Sequence, residues 1–456
     1  MRKYDVIVIG SGAGGLIVEQ AMAQGLRVAW VDKGPLGGTC LNVGCIPSKM
    51  VIFPADRIME IREAEKLGIK AEIKEIDFTA IMERTRRSIQ HEREHMRDSI
   101  YGTPELDFYE GQGRFVGNHT MEVGGLKIKG QKIFIASGAR PLIPPVEGLE
   151  AIDCLTNETV FELRQKPESL LILGGGYIAV EFGHFFSAMG TKVTIVQRAD
   201  RLVKEEEPEI SDLLKSEMQK RMEIHTGTEV LKAVQEGGLC RIVGRERSTG
   251  ANREFTGQRL LVCAGRTSNA DLLEVEKTGV ETDRRGYIRV SDYFETTKKG
   301  IWAVGDAIGK KMFRHSANQE AILAWRNSMN GEKGSLDYRT VPHAVFSYPE
   351  IASVGLREAE ATAQYDGVMV GSARYRDVAR GEAMMEQETF AKMILQKGTG
   401  EILGCHIIGP QASILIQEVV NAMASGGTLS PIISGMHIHP ALTELIHATL
   451  RYLHEV

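Results

Sequence analysis

Residues 6–15 read Val-Ile-Val-Ile-Gly-Ser-Gly-Ala-Gly-Gly, an apolar run that passes directly into closely spaced glycines. A continuous apolar run is typical of a strand buried on both faces of a parallel sheet. Residues 16–24 have the composition of a helix, and residues 28–31 form a second apolar run that ends at Asp32. The order of strand, glycine turn, helix and strand predicts a βαβ unit that binds a dinucleotide.

Each glycine of this G-x-G-x-x-G pattern has its own physical role. Gly10 permits a tight turn, Gly12 lets the backbone approach a pyrophosphate, and Gly15 lets the helix pack on the strand. Asp32 follows Gly10 by 22 residues, where a carboxylate would accept a hydrogen bond from a ribose hydroxyl. A glycine-rich turn without a ligand is the alternative, and the complete βαβ context argues against it.

A second copy of the pattern begins at residue 170. The apolar run 170–173 leads into Gly174 and Gly176, and Ala179 occupies the third position of the G-x-G-x-x-G/A form. A helix is predicted to about residue 189, and residues 193–196 predict the next strand. Two such units predict two nucleotide cofactors, with electrons passed between them.

The whole pattern predicts an α/β fold with two Rossmann-like dinucleotide-binding domains and a C-terminal α+β domain. The first domain is interrupted by the second, so that its two parts are residues 1–149 and 276–340, the second domain is 150–275, and the third is 341–456. Smaller predictions are surface helices at 55–66 and 78–98, an antiparallel layer at 108–132, closing strands at 133–136 and 260–262, and a solvated acidic face at 205–207.

Composition excludes several classes of protein. The 456 residues carry 55 Lys and Arg against 60 Asp and Glu, so the net charge of −5 predicts neither nucleic acid nor an anionic membrane surface as a partner. Six cysteines in so long a chain do not make a disulfide scaffold. The apolar run at residues 6–9 is too short for a signal peptide, and no run would span a membrane. These features predict a cytoplasmic protein.

Two cysteines lie close together in residues 37–49, which read GGTCLNVGCIPSK. In a reducing compartment such a pair is more often catalytic or metal-binding than structural. Residues five apart on a regular helix rise about 7.5 Å, which exceeds the usual Cα separation of a disulfide. Cys40 and Cys45 can therefore bridge only across a distorted turn, for which Gly44 supplies the backbone freedom. A zinc site would need further ligands nearby, and the sequence offers none.

This stretch resembles the redox motif of the class I pyridine nucleotide-disulfide oxidoreductases, and the resemblance covers essentially the whole chain. Gly305 and Asp306, in residues 302–307, look like the second FAD motif of that family, in which the Asp binds the ribitol. Residues 346–355 resemble the start of the interface domain, and 439–444 resemble the catalytic His–Glu segment. The resemblance implies that 1–149 and 276–340 bind FAD, that 150–275 binds NAD(P)H, and that 341–456 forms a homodimer.

The resemblance also implies a relay of electrons from NAD(P)H through FAD to a Cys40–Cys45 disulfide and on to the substrate. Cys45 would be the flavin-side thiol that forms a charge-transfer thiolate, and Cys40 the interchange thiol that attacks a substrate disulfide. His439 would act as acid and base, with Glu444 orienting its ring, and both would reach the site from the other subunit.

Three further residues acquire roles through the same resemblance. Lys49 and Glu181 match an ion pair beside the flavin ring, and Tyr177 matches an aromatic gate over the nicotinamide pocket. The alternative for Tyr177 is a helix residue that packs on the sheet, and the sequence leaves the two open.

A metal site near the C-terminus is a competing interpretation. His437, His439, Glu444 and His447 are possible ligands. The apolar residues between 442 and 450 form one helical stripe, and an interface or solvated opposite face explains His447 more simply. We therefore predict no metal, and the remaining four cysteines receive no role.

The nicotinamide nucleotide is predicted from the end of the second unit's strand. Where the first unit has Asp32, the second has Gln197, followed by Arg198 and, close by, Arg201. An acid would repel a 2′-phosphate, whereas Gln and Arg remove the repulsion and offer a fork-shaped partner. The sequence predicts NADPH over NADH, with surface arginines and shared use of NADH as the alternative.

Three functions of different classes remain. The leading one is an NADPH-dependent reductase of a low-molecular-weight disulfide, and residues 181–190 and 439–444 resemble those of mycothione reductase. The second is a dihydrolipoamide dehydrogenase that works on a lipoyl domain with NAD, although those enzymes usually carry Glu at the position of Gln197. The third is a non-catalytic flavoprotein scaffold or redox sensor, which the intact cysteines and the His–Glu pair argue against.

Overall fold

The first glycine turn lies at the centre of a seven-stranded sheet in the computed structural model, which describes residues 1–329 and 333–456. The strands are Leu106–Glu110, Val28–Asp32, Arg2–Ile9, Leu126–Ile135, Thr120–Val123 and Arg114–Gly117 in spatial order, with Ile301–Ala303 also paired to Leu126–Ile135. The central strands are parallel. The antiparallel layer predicted at 108–132 is correct from Arg114 onward, whereas Leu106–Glu110 pairs in parallel with Val28–Asp32.

The helices of this domain carry one correction to the sequence interpretation. They span Gly14–Ala23, Gly38–Asn42, Cys45–Glu63, Phe78–Tyr101 and Arg314–Met329. The helix predicted from residue 55 already begins at Cys45 and accommodates Pro54 in its interior. Proline usually marks a helix boundary because it lacks an N–H. The second cysteine of the close pair is therefore the first residue of a long helix, which we call the redox helix.

The second glycine turn builds a four-stranded parallel sheet. Its strands are Glu223–His225, Lys192–Val196, Ser169–Leu173 and Arg259–Val262, with helices Tyr177–Ala188 and Pro208–Gln219. The strand predicted at 260–262 closes this sheet at one edge, as expected. An additional antiparallel sheet, which the sequence did not predict, is formed by Thr228–Glu236, Leu239–Glu246 and Asn252–Gly257. Ala139–Pro141 and Arg266–Ser268 pair where the chain crosses between the two domains.

The C-terminal domain is an α+β layer, as predicted. Its antiparallel sheet contains His343–Val345, Ile351–Gly355, Ile402–Ile408, Phe390–Gln396, Val368–Arg374 and His454–Glu455. Its helices are Glu358–Gln364, Ala379–Ala383, Ala412–Ala424, Ser430–Ser434 and Glu444–Thr449. The predicted fold class, two Rossmann-like units and an α+β domain, is confirmed. Within residues 1–329 and 333–456, no helix has the length and apolar character needed to cross a membrane.

The acidic run 205–207 does not form a solvated face. Glu206 and Glu207 are only 3% and 2% exposed, and Glu205 alone lies at the surface. Both buried carboxylates are paired with the C-terminal domain: Glu206 with His343, and Glu207 with Lys392. Buried charges persist where such partners offset the loss of hydration.

Candidate active site

A cleft of about 1460 Å³ runs along the carboxyl ends of the parallel strands of the first sheet, and all three domains line it. This edge is where parallel sheets bind their ligands. The cleft brings together ten of the predicted site residues: Gly10, Gly12, Asp32, Cys40, Cys45, Lys49, Tyr177, Glu181, Gly305 and Asp306. Eight others do not line it: Gly15, Gly174, Gly176, Ala179, Gln197, Arg198, His439 and Glu444.

The first glycine of each turn occupies a position that no other residue fits. Gly10 has φ +103°, and a Cβ there would lie 2.2 Å from the carbonyl oxygen of Ala136. Gly174 has φ +123°, and its Cβ would lie 2.3 Å from the carbonyl oxygen of Cys263. The two turns are thus geometric copies, in which the chain crosses closely over the neighbouring strand.

The close helix–strand contact of the first turn involves a different glycine from the predicted one. A Cβ at Gly14 would lie 2.9 Å from Val8, whereas a Cβ at Gly15 would be in ordinary contact with Trp30 at 3.7 Å. Sequence reasoning assigned this role to Gly15 because it followed the motif spacing. The helix begins at Gly14, which faces the strand, so the restriction falls one residue earlier.

Asp32 is held in place at the end of its strand by the turn itself. Its carboxylate accepts hydrogen bonds from the backbone N–H groups of Ser11 at 2.5 Å and Gly34 at 2.6 Å. These bonds direct the carboxylate toward the glycine turn, where the sequence places a ribose.

Gly305 and Asp306, the predicted second FAD motif, are held by residues that sequence reasoning did not single out. Glu320 accepts a hydrogen bond from the N–H of Gly305 at 2.6 Å and from the hydroxyl of Tyr338 at 2.7 Å. Burial raises the pKa of Asp306, and Arg266 lies 3.4 Å from its carboxylate. Residues 315–320 resemble the segment that follows this motif in the family, and that resemblance was the available signal for Glu320.

The cysteine pair lies on a broken helix, as predicted. Helix Gly38–Asn42 ends just before Gly44, and the redox helix starts at Cys45. A Cβ at Gly44 would lie 2.9 Å from the carbonyl oxygen of Thr39, so the distortion requires glycine. The amide of Asn42, which the sequence analysis did not single out, braces the turn by donating to the carbonyl groups of Leu36 and Gly38 at 2.8 and 2.7 Å.

The two thiols of this pair share one ionisation. A hydrogen bond from Cys45 lowers the pKa of Cys40 to about 7, and the cationic Arg314 and Lys49 add to the effect. The same bond raises the pKa of Cys45. This hydrogen bond favours ionisation of Cys40 in the dithiol form, and the family resemblance assigns the charge-transfer thiolate to Cys45 once flavin lies beside it.

The predicted ion pair of Lys49 and Glu181 is present. Lys49 Nζ lies 2.9 Å from both carboxylate oxygens of Glu181, which is 4% exposed. The N–H of Phe346 donates to the same carboxylate at 3.0 Å, and the Lys49 ammonium lies 4.5 Å from the Phe346 ring. The pair joins the redox helix to helix Tyr177–Ala188 directly beside the cysteines.

His439 and Glu444 also form a pair, although they lie outside the cleft. His439 Nδ1 lies 3.0 Å from Glu444, and the N–H of Ala441 donates to the second carboxylate oxygen at 3.1 Å. The side chain of His439 is 73% exposed. It neighbours Met436 and Ile438, which are 100% and 77% exposed.

His437 and His447, offered above as possible metal ligands, contact other side chains in the structure. His437 Nε2 bonds Glu418 at 2.7 Å, and the His447 ring lies 5.7 Å from the His437 ring. Across residues 1–329 and 333–456, no three His, Cys, Asp or Glu side chains are arranged to hold a metal ion.

The chain matches the family described as pyridine nucleotide-disulphide oxidoreductase over residues 4–321, and the dimerisation domain of that family over residues 341–450. The chain belongs to the pyridine nucleotide-disulphide oxidoreductases. Mycothione reductase of Mycobacterium tuberculosis is 35% identical over 99% of both chains. Dihydrolipoyl dehydrogenase of Synechocystis is 33% identical over 97% of both chains.

A solved structure extends the likeness to the whole fold. The Cu(II) complex of the HOCl-induced flavoprotein disulfide reductase RclA from Escherichia coli superimposes with a TM-score of 0.87 at 27% identity, over 99% of both chains. The predicted family is therefore confirmed. The protein is a flavoprotein disulfide oxidoreductase with FAD and NAD(P)H as cofactors, and it carries a dimerisation domain.

The residues of this oxidoreductase fit an FAD molecule in the cleft. Ser137 Oγ and Asn318 Oδ1 line the cleft as buried polar atoms that have no hydrogen-bond partner among the described residues. Buried polar atoms are costly unless a partner satisfies them, and a polar ligand would supply one. Gly10, Gly12, Asp32 and Asp306 would hold that ligand along the cleft.

Substituting Gly10 with alanine should prevent FAD binding. The added Cβ meets the backbone of Ala136 at 2.2 Å, in a φ region that disfavours side chains, so the turn must shift. We expect the purified G10A protein to contain little flavin, measured from its absorbance at 450 nm. Gly117→Ala, where the Cβ meets nothing within 4 Å, is the matched control and should retain its flavin. A flavin content of G10A equal to that of G117A would contradict the prediction.

The shared ionisation predicts how alkylation of the reduced enzyme depends on pH. A pKa near 7 for Cys40 means that its thiolate forms as pH rises through 7, about two units below an ordinary thiol. The rate of iodoacetamide labelling at Cys40, followed by mass spectrometry, should therefore have its midpoint near pH 7. Cys45→Ala removes the donating thiol and should move the midpoint upward. A wild-type midpoint near pH 9 would contradict this assignment.

Proposed function

We propose that this oxidoreductase is an NADPH-dependent reductase of a low-molecular-weight disulfide. The observation that carries the proposal is the cleft itself, in which Cys40 and Cys45 lie beside the Lys49–Glu181 pair and the glycine turn at Gly10 and Gly12 lines the same space. When bound there, FAD supplies two-electron transfer between a hydride donor and a disulfide.

The chain's own groups perform the thiol chemistry. Cys40 attacks the substrate disulfide as a thiolate, which forms a mixed disulfide and releases the first substrate thiol. Cys45 then attacks the sulfur of Cys40, which releases the second substrate thiol and restores the Cys40–Cys45 disulfide. Lys49 and Arg314 favour the anionic sulfur, since both lower the pKa of Cys40. Glu181 holds Lys49 beside the redox helix.

The proton for the departing thiol comes, in this proposal, from His439 of the partner subunit. Within one chain His439 lies outside the cleft and is largely exposed, and Glu444 orients its ring. The apolar residues Ile433, Met436 and Ile438 are exposed around it, as expected of a surface that a second chain covers. A homodimer with shared active sites accounts for both features.

The preference for NADPH rests on Arg198. Gln197 packs over Gly175, where a Cβ would lie 2.8 Å from its side chain, and Arg198 is exposed beside it. Arg201, the other predicted arginine, already bonds Asp212 at 2.9 Å. Arg198 is therefore the guanidinium that remains available for a 2′-phosphate.

Arg198→Ala should raise the KM for NADPH by about tenfold or more, because it removes a charge-assisted hydrogen bond to phosphate. The KM for NADH should stay the same. Arg201→Ala is the matched control, and its effect should be smaller because that arginine pairs with Asp212. Steady-state kinetics with NADPH and NADH measure the nucleotide preference. A wild-type enzyme that prefers NADH by about tenfold would refute the proposal.

Oxidation of dihydrolipoyl groups is the second candidate, favoured by relatives named dihydrolipoyl dehydrogenase that match 97% of the chain. Assays with lipoamide, glutathione disulfide and mycothiol-type disulfides separate the two. Rapid NAD-dependent oxidation of dihydrolipoamide, with slow reduction of every small disulfide, would favour this candidate over the first.

A further inference from the structure

The buried acidic run 205–207 takes no part in the proposed relay, yet it connects two domains. Glu206 accepts hydrogen bonds from His343 Nε2 at 2.6 Å and from the Ser353 hydroxyl at 2.6 Å. Burial opposes ionisation of Glu206, but these bonds hold its pKa below the ordinary value. The carboxylate is thus a charged anchor between the nucleotide-binding domain and the C-terminal domain.

His343 connects Glu206 to the cleft. With Nε2 engaged by Glu206, its ring lies parallel to Phe313, with centroids 5.5 Å apart and an interplanar angle of 3°. Phe313 also stacks on His315 at 5.5 Å and lies 6.4 Å from Tyr177. All four rings line the cleft. Phe313 therefore connects His343 to Tyr177 along the wall of the cleft.

Tyr177 itself lies at the cleft rather than beneath the sheet. Its side chain is 36% exposed, whereas Ala179 and Val180, later in the same helix, are fully buried. Tyr177 therefore lies in the wall of the cleft, where the proposed function places the nicotinamide.

The other end of the same segment reaches the nucleotide turn. The N–H of Val203 donates to the carbonyl of Gly175 at 2.7 Å, and both Leu202 and Val203 are buried. The segment 198–206 thus runs from Arg198, at the proposed 2′-phosphate, past the second glycine turn to Glu206. This short segment contacts the second glycine turn through its backbone and reaches His343 through the side chain of Glu206.

We propose that Glu206 and His343 are positioning residues for the nicotinamide nucleotide. Glu206 fixes segment 198–206 against the C-terminal domain, and His343, through Phe313, holds Tyr177 at the nicotinamide pocket. The inference rests on the proposed function, because it takes NADPH as the nucleotide and Tyr177 as the gate.

Two measurements with different ligands report separately on the two ends of the nucleotide site. Anaerobic stopped-flow measurement of flavin reduction at saturating NADPH reports the nicotinamide end, and calorimetric binding of 2′,5′-ADP, which lacks nicotinamide, reports the adenosine end. Reoxidation of dithionite-reduced enzyme by a disulfide serves as the readout that this positioning role should not affect. The variants are H343A, E206Q and the exposed neighbour E205Q as matched control, each checked for flavin content and melting temperature.

We expect H343A to slow flavin reduction by about tenfold while its affinity for 2′,5′-ADP and its reoxidation rate stay at wild-type values. E206Q should slow flavin reduction and also weaken 2′,5′-ADP binding by about threefold, because it loosens both contacts of the segment. E205Q should match the wild type.

An H343A enzyme that is reduced as fast as E205Q would overturn the role of His343. Equal slowing of reduction and reoxidation would indicate a general structural defect and would overturn it as well. Unchanged 2′,5′-ADP binding in E206Q would overturn the role of Glu206. Failure of the proposed function looks different: wild-type enzyme would then not be reduced by NADPH or would not bind 2′,5′-ADP.

Discussion

Cys40→Ser should lower disulfide reductase activity by about 10⁴-fold or more, the scale seen when a catalytic nucleophile is removed. A serine hydroxyl stays protonated at neutral pH, so it cannot replace the thiolate whose pKa is about 7 in this structure. Flavin reduction by NADPH should persist, because Lys49, Glu181 and the nucleotide turn are untouched. Activity is measured as NADPH oxidation with a disulfide substrate, and flavin reduction as the loss of absorbance at 450 nm.

Cys154→Ser is the matched control for this substitution. Cys154 lies away from the cleft, and burial raises its pKa to about 11, so it should not react as a thiolate at neutral pH. The variant should keep full activity. Substantial reductase activity in C40S would show that the reducing equivalents leave by another route.

His439→Gln should lower turnover by about 10²–10⁴-fold, the usual contribution of a positioned acid–base group. The loss should lie in the disulfide half of the reaction, because the proposed role of His439 is to protonate the departing thiol. Glu444→Gln should cause a smaller loss, since it removes only the 3.0 Å contact that orients the ring. Rapid-reaction measurement of each half-reaction checks the assignment.

Mixed dimers test whether the active site is shared. Co-expression of H439Q and C40S chains with different affinity tags yields a heterodimer in which one site combines Cys40 of the first chain with His439 of the second. If the site is shared, this heterodimer regains about half of the wild-type activity, whereas each homodimer stays inactive. If each chain supplied its own histidine, the heterodimer would be as inactive as its parents.

The glycine turns and the cysteine pair could be predicted because their constraints are local. Gly10 and Gly174 must be glycine because their backbone has positive φ and an added Cβ would lie 2.2 or 2.3 Å from a carbonyl oxygen, so residue type alone marks the position. Gly44 marks the broken helix between the cysteines for a different local reason, because a Cβ there would lie 2.9 Å from the carbonyl oxygen of Thr39. The family resemblance then added the roles of Lys49 and Glu181, which spacing could not supply because 132 residues separate them.

Tertiary packing decided what no local pattern carried. The sequence predicted Glu206 and Glu207 to be surface charges, but the C-terminal domain covers and pairs with both. The sequence also offered Arg201 as a phosphate ligand, but its guanidinium hydrogen-bonds to Asp212. The sequence by itself determined the two dinucleotide folds, since each glycine turn depends on backbone geometry within a few residues, and the family resemblance of residues 37–49 indicated the redox chemistry. The cleft, the buried contact of Glu206 with His343 and the proposed position of His439 at the active site depend on how three domains and, as we propose, two chains meet. Burial and charge pairing arise only from those contacts.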